Sequence, residues 1–193
     1  NIDADTLKAL LDMEEGDPLF AFDPDEAQLS LSRLAWVKNV QVARQLPDTI
    51  IINLIEREPL ALWQHQGHVR LIDTEGATIG NAKLKEFDHL PIIVGEDAPE
   101  HGPALLHLLE AEPLIREQLE AATRVGNRRW DLRLKNGMAV KLPEEDIGLA
   151  LRRLAAVQEE EGLFDKDLTV IDAREPFRLT VRTRPGAVQH YQA

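Results

Sequence analysis

The sequence predicts an α+β chain in two units: a small one of two helices on a short sheet (1–58), then a larger, mostly antiparallel β domain with two helices (59–193). Three observations lead there. Two helical stripes open the chain, and β-branched or alternating runs dominate the remainder. Between them, Glu56-Arg57-Glu58-Pro59 interposes charge and a proline that cannot continue a central ladder. With 193 residues, 44% hydrophobic and 29% charged, the chain has enough apolar material for packed cores.

The elements come in order. Asp3-Ala4-Asp5-Thr6 offers helix caps before Leu7, Leu10 and Leu11, and Gly16-Asp17-Pro18 ends that stripe. Asp23-Pro24-Asp25 starts a second helix whose Ala27, Leu31 and Leu34 share a face as far as Trp36. Val37, Val40 and Val42, then Ile50-Ile51-Ile52 with Leu54 and Ile55, make a hairpin with Pro47-Asp48 in its turn.

In the second unit, Leu60–Trp63 and Val69–Asp73 read as strands around the polar turn 64–68, Thr74-Glu75-Gly76 turns the chain, and Leu90–Gly95 is a further strand. A helix over 101–121 is expected, with Leu105, Leu108 and Leu109 buried and Pro113 kinking or breaking it. The clearest hairpin sets Trp130, Leu132 and Leu134 against Met138, Val140 and Leu142 around Asn136-Gly137. Pro143-Glu144-Glu145-Asp146 then opens a helix with Ile147, Ala150, Leu151, Leu154 and Val157 on one face, ending near Gly162. Leu168–Asp172 and an alternating run from Phe177 to Arg182 close the fold, and the tail after Pro185 reads as frayed.

Composition removes several classes of function. A net charge of −12 opposes general binding to a phosphate backbone, and zero Cys excludes a disulfide, a Cys-ligated zinc and a thiol nucleophile. No apolar run reaches the roughly 18 residues of a membrane span, and a start at Asn1 reads as a piece of a longer chain whose anchor would lie upstream. The two serines, Ser30 and Ser32, fall inside a predicted helix rather than on a nucleophile turn, and neither phosphate-loop glycine pattern occurs.

The remaining polar clusters read as surface. His65 and His68 share a turn, while His101 and His107 are six apart and do not share a helical face. The acidic runs 144–146 and 159–161 bracket a helix, and Arg124, Arg128, Arg129, Arg133 and Lys135 form the solvent side around an inward Trp130. An acidic hydrolase built on carboxylates such as Glu144 and Asp172 would need raised pKa values in a common cleft. The last strand has no later partner. As an edge it admits two readings: a strand blunted by its arginines against aggregation, or an acceptor for an added partner strand.

Taken together, the motifs resemble the bacterial division family FtsQ/DivIB. Those of the first unit are Leu34-Ala35-Trp36-Val37-Lys38-Asn39-Val40, Arg44-Gln45-Leu46-Pro47-Asp48-Thr49 and Ile55-Glu56-Arg57-Glu58-Pro59-Leu60-Ala61. Those of the second are Leu71-Ile72-Asp73-Thr74-Glu75-Gly76, Arg129-Trp130-Asp131-Leu132, Leu151-Arg152-Arg153-Leu154 and Val170-Ile171-Asp172-Ala173-Arg174, with Phe177–Arg182 closing the match. The resemblance implies a POTRA domain, lacking its first strand because Asn1 falls after it, and then the family's β domain. It also implies a single-pass inner-membrane protein, periplasmic in this part and at the division septum, that serves as a scaffold without catalysis or cofactor. By the same resemblance the POTRA domain meets other divisome proteins, and the β domain binds FtsB and FtsL by adding an FtsB strand to its last strand. Carried onto this chain, the partner-binding residues are Phe177, Arg178, Leu179, Thr180, Val181 and Arg182, with Arg152, Arg153 and Arg174 for partner carboxylates. Phe177 is left open between core and interface. The alternative is a POTRA-containing outer-membrane assembly or secretion component that captures client strands.

Overall fold

Asp23 caps the first helix that can be followed from end to end, α1 (Pro24–Ser32). Its Oδ1 accepts the N–H groups of Asp25 at 2.9 Å and Glu26 at 3.3 Å, and Pro24 occupies the first turn, where a missing donor costs nothing. The computed structural model describes Leu7, Leu11 and residues 17–184; Leu7 and Leu11 are helical, and the rest of the first expected helix and the tail from Pro185 lie outside the described residues. Helix α1 stops at Ser32, short of Trp36, because the N–H groups of Arg33 and Leu34 turn to the carbonyls of Ser30 and Leu31 in a tightened last turn.

Strands β1 (Val37–Gln45) and β2 (Thr49–Glu56) form an antiparallel pair running from Gln45 opposite Thr49 to Val37 opposite Glu56. Along β2, Ile50, Ile52 and Leu54 are half-buried while Thr49, Ile51, Asn53 and Ile55 face out, the period-two burial of a strand with one covered face. Leu31, Val37 and Val40 are buried together under Leu7, Leu11, Ile52 and Leu54.

The remaining strands are β3 (Pro59–His65), β4 (His68–Asp73), β5 (Thr78–Ile79), β6 (Ile92–Val94), β7 (Leu119–Val125), β8 (Arg129–Leu134), β9 (Ala139–Lys141), β10 (Leu168–Asp172) and β11 (Thr180–Thr183). Among the described residues they make one nine-stranded sheet in the order β11-β10-β9-β8-β7-β6-β3-β4-β5. Parallel pairing joins β3 to β6, β6 to β7 and β9 to β10, and the other neighbours are antiparallel. Helices α2 (Ala98–Glu110), α3 (Pro113–Arg116) and α4 (Ile147–Glu161) cover one face, burying Leu105, Leu109, Ile115, Leu151 and Leu154 against Trp130, Leu132, Val140 and Ile171. Trp130 is 1% exposed, inward as its alternation requires. Gly162 closes α4 in a left-handed conformation, its N–H donating to the Gln158 carbonyl.

One expected element changes identity. The helix read over 101–121 is α2 and the single turn α3, and residues 119–125 are β7, a central strand between β6 and β8. Pro113 starts the new turn instead of kinking a continuous helix. The strand was obscured because its ladder shifts register between Leu119 and Ala121, so its alternation is broken, and its Ala-rich run carries helical propensity that the slot between two strands overrides.

The hairpin of β1 and β2 meets the large sheet at the β4–β5 end. Arg57 Nη1 donates to Asp73 Oδ2 at 2.7 Å, Lys38 Nζ lies 3.0 Å from Glu75 Oε1, and the Trp36 and Phe87 rings are 5.9 Å apart. Trp36 also packs on Leu62, Leu71 and Ile79, the covered second face of β3, β4 and β5.

Candidate functional site

Strand β11 pairs with β10 from Asp172 opposite Thr180 to Leu168 opposite Thr183, and among the described residues nothing pairs with its other side. The direction of its backbone groups is fixed by two bonds. The Arg182 carbonyl accepts the Thr169 hydroxyl at 3.1 Å, and the Arg184 N–H donates to the Asp167 carbonyl at 3.3 Å, so even-numbered residues face β10. Backbone groups alternate along a strand, which sends those of Val181 and Thr183 outward to the open edge.

The expected strand is shorter than its alternation predicts. It begins at Thr180, and Phe177, Arg178 and Leu179 belong to the connection from β10. Side chains on both sides hold that connection. From α4, Arg153 Nη1 donates to the Pro176 carbonyl and Nη2 to the Ala173 carbonyl at 3.2 Å. From β10, Asp172 accepts the Arg174 N–H at 3.2 Å and grips its guanidinium through Oδ1 at 2.8 Å and Oδ2 at 2.6 Å. The Arg174 hydrogen bond draws the Asp172 carboxyl below its usual value despite partial burial, and the same bond raises Arg174.

These contacts divide the expected site residues. Phe177 is 97% exposed, which settles its orientation away from the core. Leu179 packs on the main core, and Val181, 42% exposed, lies beside it. Together with Val157, Leu163 and Leu168 they line a hollow of about 400 Å³ between α4 and β11. Thr180 and Arg182 point to the opposite face of the sheet. Arg152, Arg178 and Arg182 are exposed and have no charged partner among the described residues, whereas Arg153 donates to the carbonyls of Ala173 and Pro176 and Arg174 is paired with Asp172. Reading the sequence missed Val157, Leu163 and Leu168 as part of this surface; the signal was the Val157 position at the end of the apolar stripe of α4.

The other chemistry weighed from the sequence does not assemble. Asp172 is held low by Arg174 where an acid catalyst would be held high, and Glu144 lies 3.9 Å from Arg128. Ser32 donates its hydroxyl to the Leu29 carbonyl, and His65 stacks on Trp63 at 5.9 Å. Among the described residues no helix is long and apolar enough to cross a membrane.

Comparison with known proteins adds the decisive observation. Residues 61–174 match the family model of the cell division protein FtsQ/DivIB, C-terminal, and residues 1–57 match the POTRA domain, FtsQ-type. The chain belongs to the FtsQ/DivIB family of cell division proteins. It is 38% identical over 175 residues to the cell division protein FtsQ of Rickettsia conorii, covering 91% of this chain and 65% of that protein. It is 39% identical over 171 residues to that of Rhizobium meliloti, covering 89% and 55%, and 37% identical over 171 residues to that of Caulobacter vibrioides, covering 89% and 57%. The chain thus spans between about half and two thirds of the length of these FtsQ relatives. A solved structure of the major extracytoplasmic domain of DivIB from Geobacillus stearothermophilus aligns with a TM-score of 0.40 at 14% identity, over 58% of this chain and 99% of that one. The FtsQ-type POTRA unit and the FtsQ/DivIB C-terminal domain in one chain bear out the family resemblance, and the expected α+β order of helices, hairpin and larger sheet is the one observed.

Proposed function

We propose that this chain is the periplasmic, non-catalytic scaffold part of a single-pass inner-membrane protein at the division septum. In this reading residues 1–58 form the POTRA domain and meet other divisome proteins, and residues 59–193 form the β domain. The β domain takes FtsB, with FtsL, by strand addition at β11. The observation that carries the reading is the open edge at Val181 and Thr183 beside an apolar hollow under α4. Strand addition there satisfies the outward backbone groups, and alternate side chains of the added strand meet Leu179 and Val181 on one face and Arg182 on the other. Phe177 supplies the exposed aromatic anchor, and Arg152, Arg178 and Arg182 supply selectivity and on-rate. Arg174 contributes once its grip on Asp172 is exchanged.

Calorimetry of this chain with the periplasmic segment of FtsB, with and without FtsL, tests the proposal. The informative variant is Val181→Pro, because it deletes an outward N–H and leaves the β10 ladder paired. Saturable binding by the parent chain that the folded variant loses is the expected result. Equal binding by parent and variant would remove β11 as the acceptor edge.

A further inference from the structure

Seven residues, Ala173–Leu179, connect β10 to β11, and their sequence is at odds with their conformation. From Phe177 to Arg182 apolar and polar residues alternate as in a strand, yet the strand starts at Thr180 and Phe177 stands in a turn. Something outside the segment decides its shape. The carbonyls of Ala173 and Pro176 bracket its first half, and one side chain takes both, the guanidinium of Arg153. A planar fork with several donors suits that task, since two carbonyls on separate residues are held in one plane by one group.

Arg153 also occupies a distinctive place. Two hollows share it as a wall: one of about 460 Å³ with Pro143, Leu149, Arg174 and Pro176, the other of about 400 Å³ with Val157, Leu168, Phe177, Leu179 and Val181. Arg153, which reaches from α4 to Pro176, is the lining residue common to both. Its Nε–H is buried with no acceptor among the described residues, so the group is retained at a cost that its two carbonyl bonds offset. The neighbouring Arg152 is exposed and makes no such contact.

We infer that Arg153 is the positioning residue of the β11 edge: it acts through the 173–179 strap, turning Phe177 outward and setting the strand start at Thr180, and a partner carboxylate is met by Arg152 instead. The inference deepens the strand-addition reading by naming what shapes the acceptor. Without the hold of Arg153, the strap is free to sample the longer strand that its alternation favours, and Phe177 loses its fixed presentation.

The test reads the strap in the absence of any partner. Backbone order parameters by nuclear magnetic resonance are expected near 0.85 for residues 174, 175 and 177–179 in the parent chain, and to fall below about 0.6 in Arg153→Met, with β8 and β9 unchanged. Arg152→Met leaves the strap at parent values. Should the Met variant not fold, Arg153→Lys keeps the stem and charge but reaches one carbonyl, and gives intermediate values. In calorimetry with the FtsB segment, Arg153→Met is expected to weaken binding about tenfold with the salt dependence retained, through the cost of ordering the strap, whereas Arg152→Met lowers the salt dependence. A strap already mobile in the parent chain, or equally ordered in both Arg153 variants, overturns the inference. Failure of the parent to bind the segment overturns the strand-addition reading and leaves the order parameters to decide on Arg153 alone.

Discussion

Arg57 and Asp73 form an ion pair of 2.7 Å whose carboxylate is 1% exposed, between the end of the hairpin unit and the large sheet. Asp73 does more than neutralise the guanidinium. Its Oδ1 accepts the N–H groups of Glu75 at 2.9 Å and Ala77 at 2.8 Å, so one carboxylate shapes the β4–β5 turn and holds the preceding unit to it. Asp73→Asn keeps the shape and removes the charge. It is expected to cost about 3 kcal/mol, because Arg57 is left half-buried without its counter-ion. Urea denaturation at pH 7 measures this.

The same group predicts a pH dependence. Burial pushes the Asp73 carboxyl up, but the Arg57 hydrogen bond, the amides of Glu75 and Ala77 and the Arg57 charge outweigh it, and the folded-state value lies below 3.8. A depressed carboxyl contributes stability that is fully present above the unfolded value, about 4, and is lost as pH falls through the folded one. Urea midpoints taken at pH 7, 5 and 3 should therefore hold steady to about pH 5 and then drop. The drop should be smaller in Asp73→Asn; an identical acid limb in the variant would assign the loss to other carboxylates.

Two glycines with similar φ predict unequal costs. Gly76 (φ +82°) and Gly67 (φ +79°) both sit in the left-handed region, but a Cβ on Gly76 would lie 2.1 Å from the Pro99 carbonyl oxygen, whereas one on Gly67 meets nothing within 4 Å. Gly67→Ala is expected to lose about 1 kcal/mol from backbone conformation alone. Gly76→Ala should lose at least about twice that, since the start of α2 must move as well. Thermal unfolding of the two variants side by side checks the ratio.

Phe177 and Leu154 separate binding from folding. Leu154 is fully buried under the sheet, and Leu154→Ala is expected to cost about 2–5 kcal/mol. Phe177→Ala should change stability by no more than about 0.5 kcal/mol while weakening the FtsB segment in calorimetry. A large fall in thermal midpoint for Phe177→Ala would return this residue to a structural role.

Arg178 and Arg182 are expected to act on the rate of encounter. The double substitution Arg178→Ala/Arg182→Ala should slow association at low salt and leave dissociation nearly unchanged, with the difference fading at high ionic strength. Stopped-flow association at two salt concentrations reads this directly.

Much of this was legible in the sequence where the local signals agreed. The Asp23 cap, the hairpin around Pro47-Asp48 and the inward Trp130 each follow from residue type and spacing, and each is found. The failures share a cause. Residues 119–125 were hidden because a register shift spoils the alternation, and their strand state is set by neighbours distant in sequence. The start of β11 was misplaced because the alternation from Phe177 was sound but a helix residue, Arg153, overrides it. Side-chain grips on carbonyls leave no periodic trace, so the engaged states of Arg153 and Arg174 were beyond any pattern reading.

The position of the Arg57–Asp73 clamp gives the molecule a measure of length. Asp73 is on β4 and the open edge is β11, seven strand spacings away in the sheet order. At roughly 4.8 Å per spacing, the sheet is a spacer of about 34 Å between the hairpin unit and the β11 edge. The clamp and the ladder together make a calliper. On the strand-addition reading, a strand joined at β11 lengthens the arm by one spacing and leaves the jaw at the other end where it was, so the reach from the hairpin unit grows in fixed steps.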